Sequence, residues 1–460
     1  MKPLLAARLR QLQRRLDSDE LSIDPAVRKE HASDKWLMSV VPDAVARPRT
    51  AASVSAILRF AHEHRIPVTP RGAGHGYAGG CVPVRRGIVL SLDRMSRIRQ
   101  IHTGDFVAVV QAGVVTAKLQ SAVEKKGLFY PPDPASRAES FIGGNIATNA
   151  GGPRCLKYGV TRDYVLGLEV VLADGTILRL GSRTHKNKTG FDLARFFVGS
   201  EGLLGVITEA TLKLIPLPPC RACLSVGFPT MGDTARAIRA IFASGILPSA
   251  VEVADEFTLA AAQKRTGSRL FAGSRAHLIV EIDGQERSVR SELRHTERIV
   301  RACGPRFVHR AFGGPACEAI WQVRREFSAA LKDTGLKKMN EDITVPRGRL
   351  EDLFRFTARL QAKHGLPVAC FGHAGDGNIH VNVMVDESKP GFETRRDAAL
   401  DELFQQILSW GGVITGEHGV GLARKRWWPL AASPDIRAFH RTIKRALDPR
   451  GILNPGKFVE

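Results

Sequence analysis

The sequence predicts an α+β fold in two main parts. From about Val41 to Leu217, strand-like and helix-like runs alternate. Three prolines then occur between Pro216 and Pro219, which suits neither a helix nor a central strand. Beyond that break, residues 218–430 mix helices and strands again, and 431–460 form a closing segment. A chain of 460 residues with 43% hydrophobic side chains has material for two to four domains with sizeable cores.

Each element follows from local pattern. In residues 1–40, Leu4, Leu5, Leu9, Leu12 and Leu16 recur at helical spacing with arginines between them, which predicts an N-terminal helical segment packed on the body. The competing reading is a transit peptide or a membrane-surface helix. No continuous apolar stretch and small-residue cleavage site marks a secretory signal there. In residues 41–217, AVARPRT reads as a strand and TAASVSAILRFAHEHR as an amphipathic helix. IPVTP is a strand running into a glycine-rich loop, and GIVLSL and FVAVVQAGV are strands. VLGLEVVLADGTILRL is a strand pair turning at Asp174-Gly175. In 218–430, ARAIRAIFASG and SVRSELRHTERIVRAC read as helices, and AHLIVEID, PVACFGH and NIHVNVMV as strands. A helix and a Gly/Pro/Asn-rich tail close the chain.

Composition narrows the function. The formal charge is +21, which suits nucleic acid, anionic lipid or anionic small molecules. The positive residues are spread along the chain. The densest cluster, RKRWW at 424–428, lies in no nucleic-acid-binding motif, so an anionic small ligand is expected and nucleic acid is not. No run of about 18 apolar residues occurs, so no transmembrane segment is expected. The seven cysteines predict free thiols in a reducing compartment, and the lone pair Cys220 and Cys223 is weak support for a metal or redox role.

Residues 70–80 read PRGAGHGYAGG. Gly74, Gly76 and Gly79 match a dinucleotide fingerprint in spacing, but that fingerprint opens a helix, and here Pro83 and a strand follow. The glycines instead predict backbone amides offered to a large anion, rather than a merely flexible loop. PPDPASRAESFIGGNIATNAGG (131–152) and VGSEGLLGVIT (198–208) are two more glycine-rich stretches. Three such runs in one domain predict an extended cofactor wrapped along it.

PRGAGHGYAGG, PPDP, GGNIATNAGG, YGVTRDYVLGLEVVLADG, VGSEGLLGVITEATLKL, GHAGDGNIH, GEHGVG and NPGK occur in an order that resembles one family. It is that of FAD-linked 2-hydroxy-acid dehydrogenases of the vanillyl-alcohol-oxidase type, near the D-lactate dehydrogenase and glycolate oxidase flavin subunits. The resemblance runs from about residue 40 to the end. It implies a two-part FAD-binding domain (41–217), an α+β substrate or cap domain with an antiparallel sheet (218–430), and a C-terminal segment (431–460) returning to the FAD domain. It places the FAD pyrophosphate against Arg71, Gly72, Ala73, Gly74, His75 and Gly76. Pro132, Asp133, Ser136, Gly143, Gly144, Asn145, Thr148 and Asn149 would line the flavin and ribityl portion. Gly202 and Val206, Ile207 and Thr208 would approach the adenosine. The flavin subunits usually carry threonine where this chain has His75. In relatives with covalent flavin that loop position resembles a histidine bonded to the flavin, so His75 is a candidate attachment point. The plainer reading is a histidine that only packs or hydrogen-bonds.

FGHAGDGNIHVN (371–382) places His373 and His380 on either side of a tight polar turn. Its glycines and Asp/Asn residues disfavour a helix, and a hairpin would bring the two imidazoles together. Glu417, in the glycine-framed ITGEHGVG, is the anionic third partner. Two histidines and one carboxylate suit zinc, manganese or iron(II) and leave positions open. The resemblance assigns the same three as ligands and implies zinc or manganese. Simple hydrogen bonding beside a turn is the alternative.

A 2-hydroxy acid would then chelate the metal, His418 would take its hydroxyl proton, and hydride would leave C2 for flavin N5. Asn378 would bind the substrate carboxylate or position His418. Arg324, in the family's Trp–x–x–Arg pattern, would bind the carboxylate, with Lys338 a weaker candidate. The expected function is oxidation of a D-2-hydroxy acid such as D-lactate or glycolate. Alternatives are an ether-forming flavin transferase and a non-catalytic flavin subunit of a redox complex. No Fe–S cysteine set is apparent, so electrons would pass to oxygen, a quinone, a cytochrome or another protein. A homodimer or hetero-complex, in the cytoplasm or peripheral to the inner face of the membrane, is expected.

Overall fold

The computed structural model describes residues 3–459. The chain divides into two compact units: residues 1–150, 160–217 and 417–460 in one, and 151–159 with 218–416 in the other. This differs from the ranges expected from sequence in two places. Residues 151–159 join the second unit because Arg154 pairs with Glu281 at 3.0 Å and Lys157 and Tyr158 bond Asp283 at 2.6 and 2.8 Å. Residues 417–430 join the first because Val420 and Gly421 donate their N–H groups to the Glu201 carboxylate, both at 2.8 Å.

The first unit holds three sheets, the smallest a two-stranded pairing of Ile215–Pro216 with Leu128–Phe129. A four-stranded sheet runs in the order Leu21–Ser22, Ala44–Ala46, Ile88–Ser91, Val68–Arg71, its last three strands parallel. The helix Ala51–His64 starts where Thr50 caps the Ser53 N–H at 3.1 Å and ends at Arg65 in the left-handed region. It buries Val54, Ile57, Leu58, Phe60 and Ala61 in the same core as Leu9 and Leu12 of the N-terminal helix Pro3–Gln13. The tail lies along the free edge: Val68 N–H bonds Ile452 O at 2.8 Å and Asn454 N–H bonds Val68 O at 2.7 Å. A five-stranded antiparallel sheet runs Ile98–His102, Val107–Gln111, Val206–Lys213, Val165–Val171, Ile177–Gly181. Its last two strands are the hairpin expected at Asp174-Gly175, where Gly175 has a φ of 87°.

The second unit is built on a seven-stranded antiparallel sheet. Its order is Phe307–Phe312, Cys220–Phe228, Ala276–Gly284, Ala250–Asp255, Val368–His373, Asn378–Val385, Lys337–Thr344. Cys220 and Cys223 sit three apart on one strand and so point to opposite faces, which removes the CxxC reading. The RKRWW cluster is largely structural, with Arg424 and Trp427 buried. Among the described residues, no helix is long and apolar enough to cross a membrane.

Within this sheet His277 is buried, bonded to Ser225 Oγ at 2.8 Å and packed edge-on against Phe271. Burial pushes its pKa down to about 3. The folded value lies below the unfolded one, so acid favours the unfolded chain between those values. Each pH unit below 6.5 then costs about 1.4 kcal/mol, or about 2 kcal/mol by pH 5. We expect the urea midpoint of the wild type to fall over that window relative to a His277→Gln variant. Parallel profiles would contradict this.

Candidate active site

Strand alternation and register assemble one half of the site on a single face of the seven-stranded sheet. His373 opposes Asn378, Phe371 opposes His380, Glu252 opposes His373, and Asp342 opposes His380. Directly opposed residues share a face, so Glu252, His373, Asn378, His380 and Asp342 line up across four strands. The turn AGDGN closes the hairpin, with Gly377 at a φ of 85° and a Cβ there blocked by Val345 O. The two imidazole centroids are 5.4 Å apart.

Gly416 donates its N–H to Asp342 at 3.0 Å, and a side chain at 416 would collide with Asn378 and Thr344. The next residue in the chain is Glu417. One ligand atom from each of His373, His380 and Glu417 lies within 4.8 Å of the others, the one such group of His, Cys, Asp or Glu side chains among the described residues. The donor set fits a divalent metal of the zinc, manganese or iron(II) kind.

The partners of these side chains were not apparent in the sequence. Glu252 accepts from His373 Nδ1 at 2.5 Å and from Arg324 Nε at 2.7 Å. Burial pushes its carboxyl up, but the Arg324 and His373 charges outweigh that and hold it at about 2. Arg324, stacked over Phe371 at 4.9 Å, is therefore an ion-paired residue as well as a candidate anion binder. Asn378 donates to Asp342 at 2.7 Å and to Ile343 O at 2.9 Å, so its amide nitrogen braces the sheet. Lys338 donates to Ser328 at 2.6 Å, and burial with Lys332 nearby pulls it down to about 8. Glu252, a lone carboxylate in the apolar run AVEVA, was the available signal.

In the first unit the three glycine-rich runs converge on the end of strand Val68–Arg71. A Cβ on Gly72 would lie 3.4 Å from Gly144 Cα, and one on Gly202 would lie 3.2 Å from Pro70. Arg71 reaches Ser33 O at 2.7 Å and Cys81 Sγ at 3.3 Å, its guanidinium lying against Gly74. Among the described residues, the N–H groups of Ala73, Gly74, His75 and Gly76 donate to no protein acceptor. Unspent amides beside a guanidinium fit a pyrophosphate.

The other expected cofactor residues divide between support and open positions. Asn145 donates to Thr116 at 2.7 Å, Thr148 to Gly144 O at 3.2 Å, and Asn149 accepts from Arg162 N–H at 2.9 Å. Asp133 pairs with Arg137, and Pro132 O and Ser136 O accept hydrogen bonds that stiffen the PPDP turn. Gly143 packs on Ala112, while Val206 and Ile207 are buried in their strand. His75 Nδ1 lies 2.7 Å from Glu139, and burial lowers its pKa. His418 lies 3.7 Å from the Glu417 carboxylate and stacks 5.3 Å from Tyr77.

Residues 42–181 match the family described as FAD binding domain, and residues 217–458 match FAD linked oxidases, C-terminal domain. This chain belongs to the FAD-linked oxidases. A glycolate oxidase subunit GlcD of Bacillus subtilis is 40% identical over 91% of this chain and 89% of its own length. A D-lactate dehydrogenase of Archaeoglobus fulgidus is 37% identical over 90% of this chain and 91% of its own. Among solved structures, p-cresol methylhydroxylase superposes with a TM-score of 0.80 at 19% identity, covering 100% of this chain and 97% of that one. Alkyldihydroxyacetonephosphate synthase gives 0.78 at 21% identity, over 99% and 86%. Those likenesses establish the fold of this FAD-linked oxidase, which is that of the vanillyl-alcohol-oxidase type.

Proposed function

We propose that this FAD-linked oxidase oxidises a D-2-hydroxy acid of the lactate or glycolate class to the 2-oxo acid with the help of a divalent metal, zinc or manganese. The observation that carries the reading is the convergence of His373, His380 and Glu417 in a chain with an FAD-binding domain. The names of the glycolate oxidase and D-lactate dehydrogenase relatives support the substrate class. Bound FAD supplies the hydride acceptor and the metal lowers the pKa of the substrate hydroxyl. The chain's own residues do the rest. The imidazole of His418, next in sequence to Glu417, takes the hydroxyl proton. Arg324, with Nε committed to Glu252, offers its remaining guanidinium edge to the substrate carboxylate. Asn378 holds the strand ends that present His373 and His380.

Electrons then leave to an external acceptor. The relatives named as a subunit support a hetero-complex. Reduction of an artificial dye by glycolate or lactate tests the reading, because a flavin transferase gives no net reduction. Arg324→Ala should raise KM for carboxylate substrates by roughly 10–100-fold, the worth of one charge-assisted anchor. An unchanged KM removes Arg324 from substrate binding.

Covalent attachment at His75 is a separate part of the proposal, supported by the Glu139 contact that leaves Nε2 as the reactive nitrogen. Acid precipitation decides it. Yellow colour in the pellet means attachment, lost in His75→Ala; all colour in the supernatant leaves His75 a hydrogen-bonding residue.

A further inference from the structure

The buried carboxylate of Glu252 carries more than packing. It lies in the middle of the run Ala-Val-Glu-Val-Ala, directly opposite His373, with 1% of its surface exposed. An unpaired carboxylate there would be costly, and the fold surrounds it with donors. Its Oε1 faces His373 Nδ1 at 2.5 Å, and its Oε2 faces Arg324 Nε at 2.7 Å and Nη2 at 2.5 Å. His380 Nδ1 lies 3.8 Å from the nearest Asp342 oxygen, beyond hydrogen-bond reach of that carboxylate.

We propose that Glu252 is a positioning residue shared by two parts of the site, one oxygen orienting His373 for the metal and the other holding Arg324 for the substrate carboxylate. The inference rests on the metal-assisted reading above. A proton held on His373 Nδ1 leaves Nε2 bare, the form a metal needs, and the carboxylate makes that nitrogen a stronger donor to the metal. The same carboxylate offsets the Arg324 cation, which would otherwise repel a divalent ion. A side chain that only filled space would do neither.

The experiment uses the full chain stripped of metal and titrated with Co²⁺ and Zn²⁺ against a chelating dye, with the Co²⁺ visible spectrum recorded. Glu252→Gln should weaken metal binding 10–100-fold and change the Co²⁺ spectrum. Because that variant leaves the Arg324 cation buried without its partner, Glu252→Leu/Arg324→Met is made beside it. Removing both members of a buried pair is tolerated far better than removing one. The double variant should melt near the wild type and still bind metal at least tenfold more weakly, whereas Arg324→Met alone should stay within about threefold of wild type. Wild-type metal affinity in a folded Glu252 variant overturns the proposal. His373→Ala is the control for the underlying reading. If it binds metal like the wild type, the metal site itself is wrong and the role of Glu252 falls with it. If it loses metal while the Glu252 variants keep it, only the positioning role falls.

Discussion

His380→Ala is expected to lower kcat/KM for the 2-hydroxy acid by about 10³ or more, with the flavin retained. The size follows from the chemistry assigned to the metal, since polarising a hydroxyl is worth several kcal/mol and about 4 kcal/mol is a factor of about 10³. His380 is the ligand to remove, because its loss leaves the contact between His373 and Glu252 in place. Its Nδ1 is beyond hydrogen-bond distance of Asp342, whereas His373→Ala also strips a partner from the buried Glu252. Steady-state rates with metal analysis check it. Loss of metal with loss of turnover is the expected result, and full turnover in a metal-free variant contradicts the assignment.

The second large effect concerns the flavin. Gly74→Val should yield protein without bound FAD. Gly74 has a φ of 74°, and the Cβ that valine adds would overlap the Arg71 guanidinium. The left-handed backbone alone costs about 1–2 kcal/mol for a residue with a side chain, more for a β-branched one. Displacing Arg71 removes the cation beside the unspent amides as well. Gly80 is the matched control, being in the same loop with open space around its Cβ position and no positive φ. Gly80→Ala should therefore keep its yellow colour. Absorbance at the flavin band per protein measures both. A yellow Gly74→Val protein would mean that the pyrophosphate lies elsewhere.

Much of this site could be read from the chain because its signals are local. The hairpin around residues 374–377 follows from glycines between two apolar runs, and a hairpin necessarily brings His373 near His380. The strand pair read in VLGLEVVLADGTILRL forms as the hairpin Val165–Val171 with Ile177–Gly181. The glycine-rich loop was legible because a strand, rather than a helix, follows it. What could not be read depends on long-range register. Glu252 meets His373 across 121 residues, and Glu201 grips the 420–421 amides across about 220. The apolar run around Glu252 marks it as unusual, but nothing local names the partner of either carboxylate. The unit boundaries shifted for the same reason: the attachment of 151–159 depends on Glu281 and Asp283, more than 120 residues away. Arg324 shows the limit most clearly. Its pattern pointed to an anion, while the fold also gives it an internal carboxylate.

The central claim is metal-assisted oxidation of a 2-hydroxy acid by bound flavin. It is tested most directly by anaerobic flavin absorbance of the purified protein, mixed with D- and L-lactate, glycolate and related acids. Bleaching by a D-2-hydroxy acid or glycolate, abolished by a chelator and restored by zinc or manganese, is the predicted result. Bound flavin that none of these acids bleaches, or bleaching indifferent to the chelator, would contradict it.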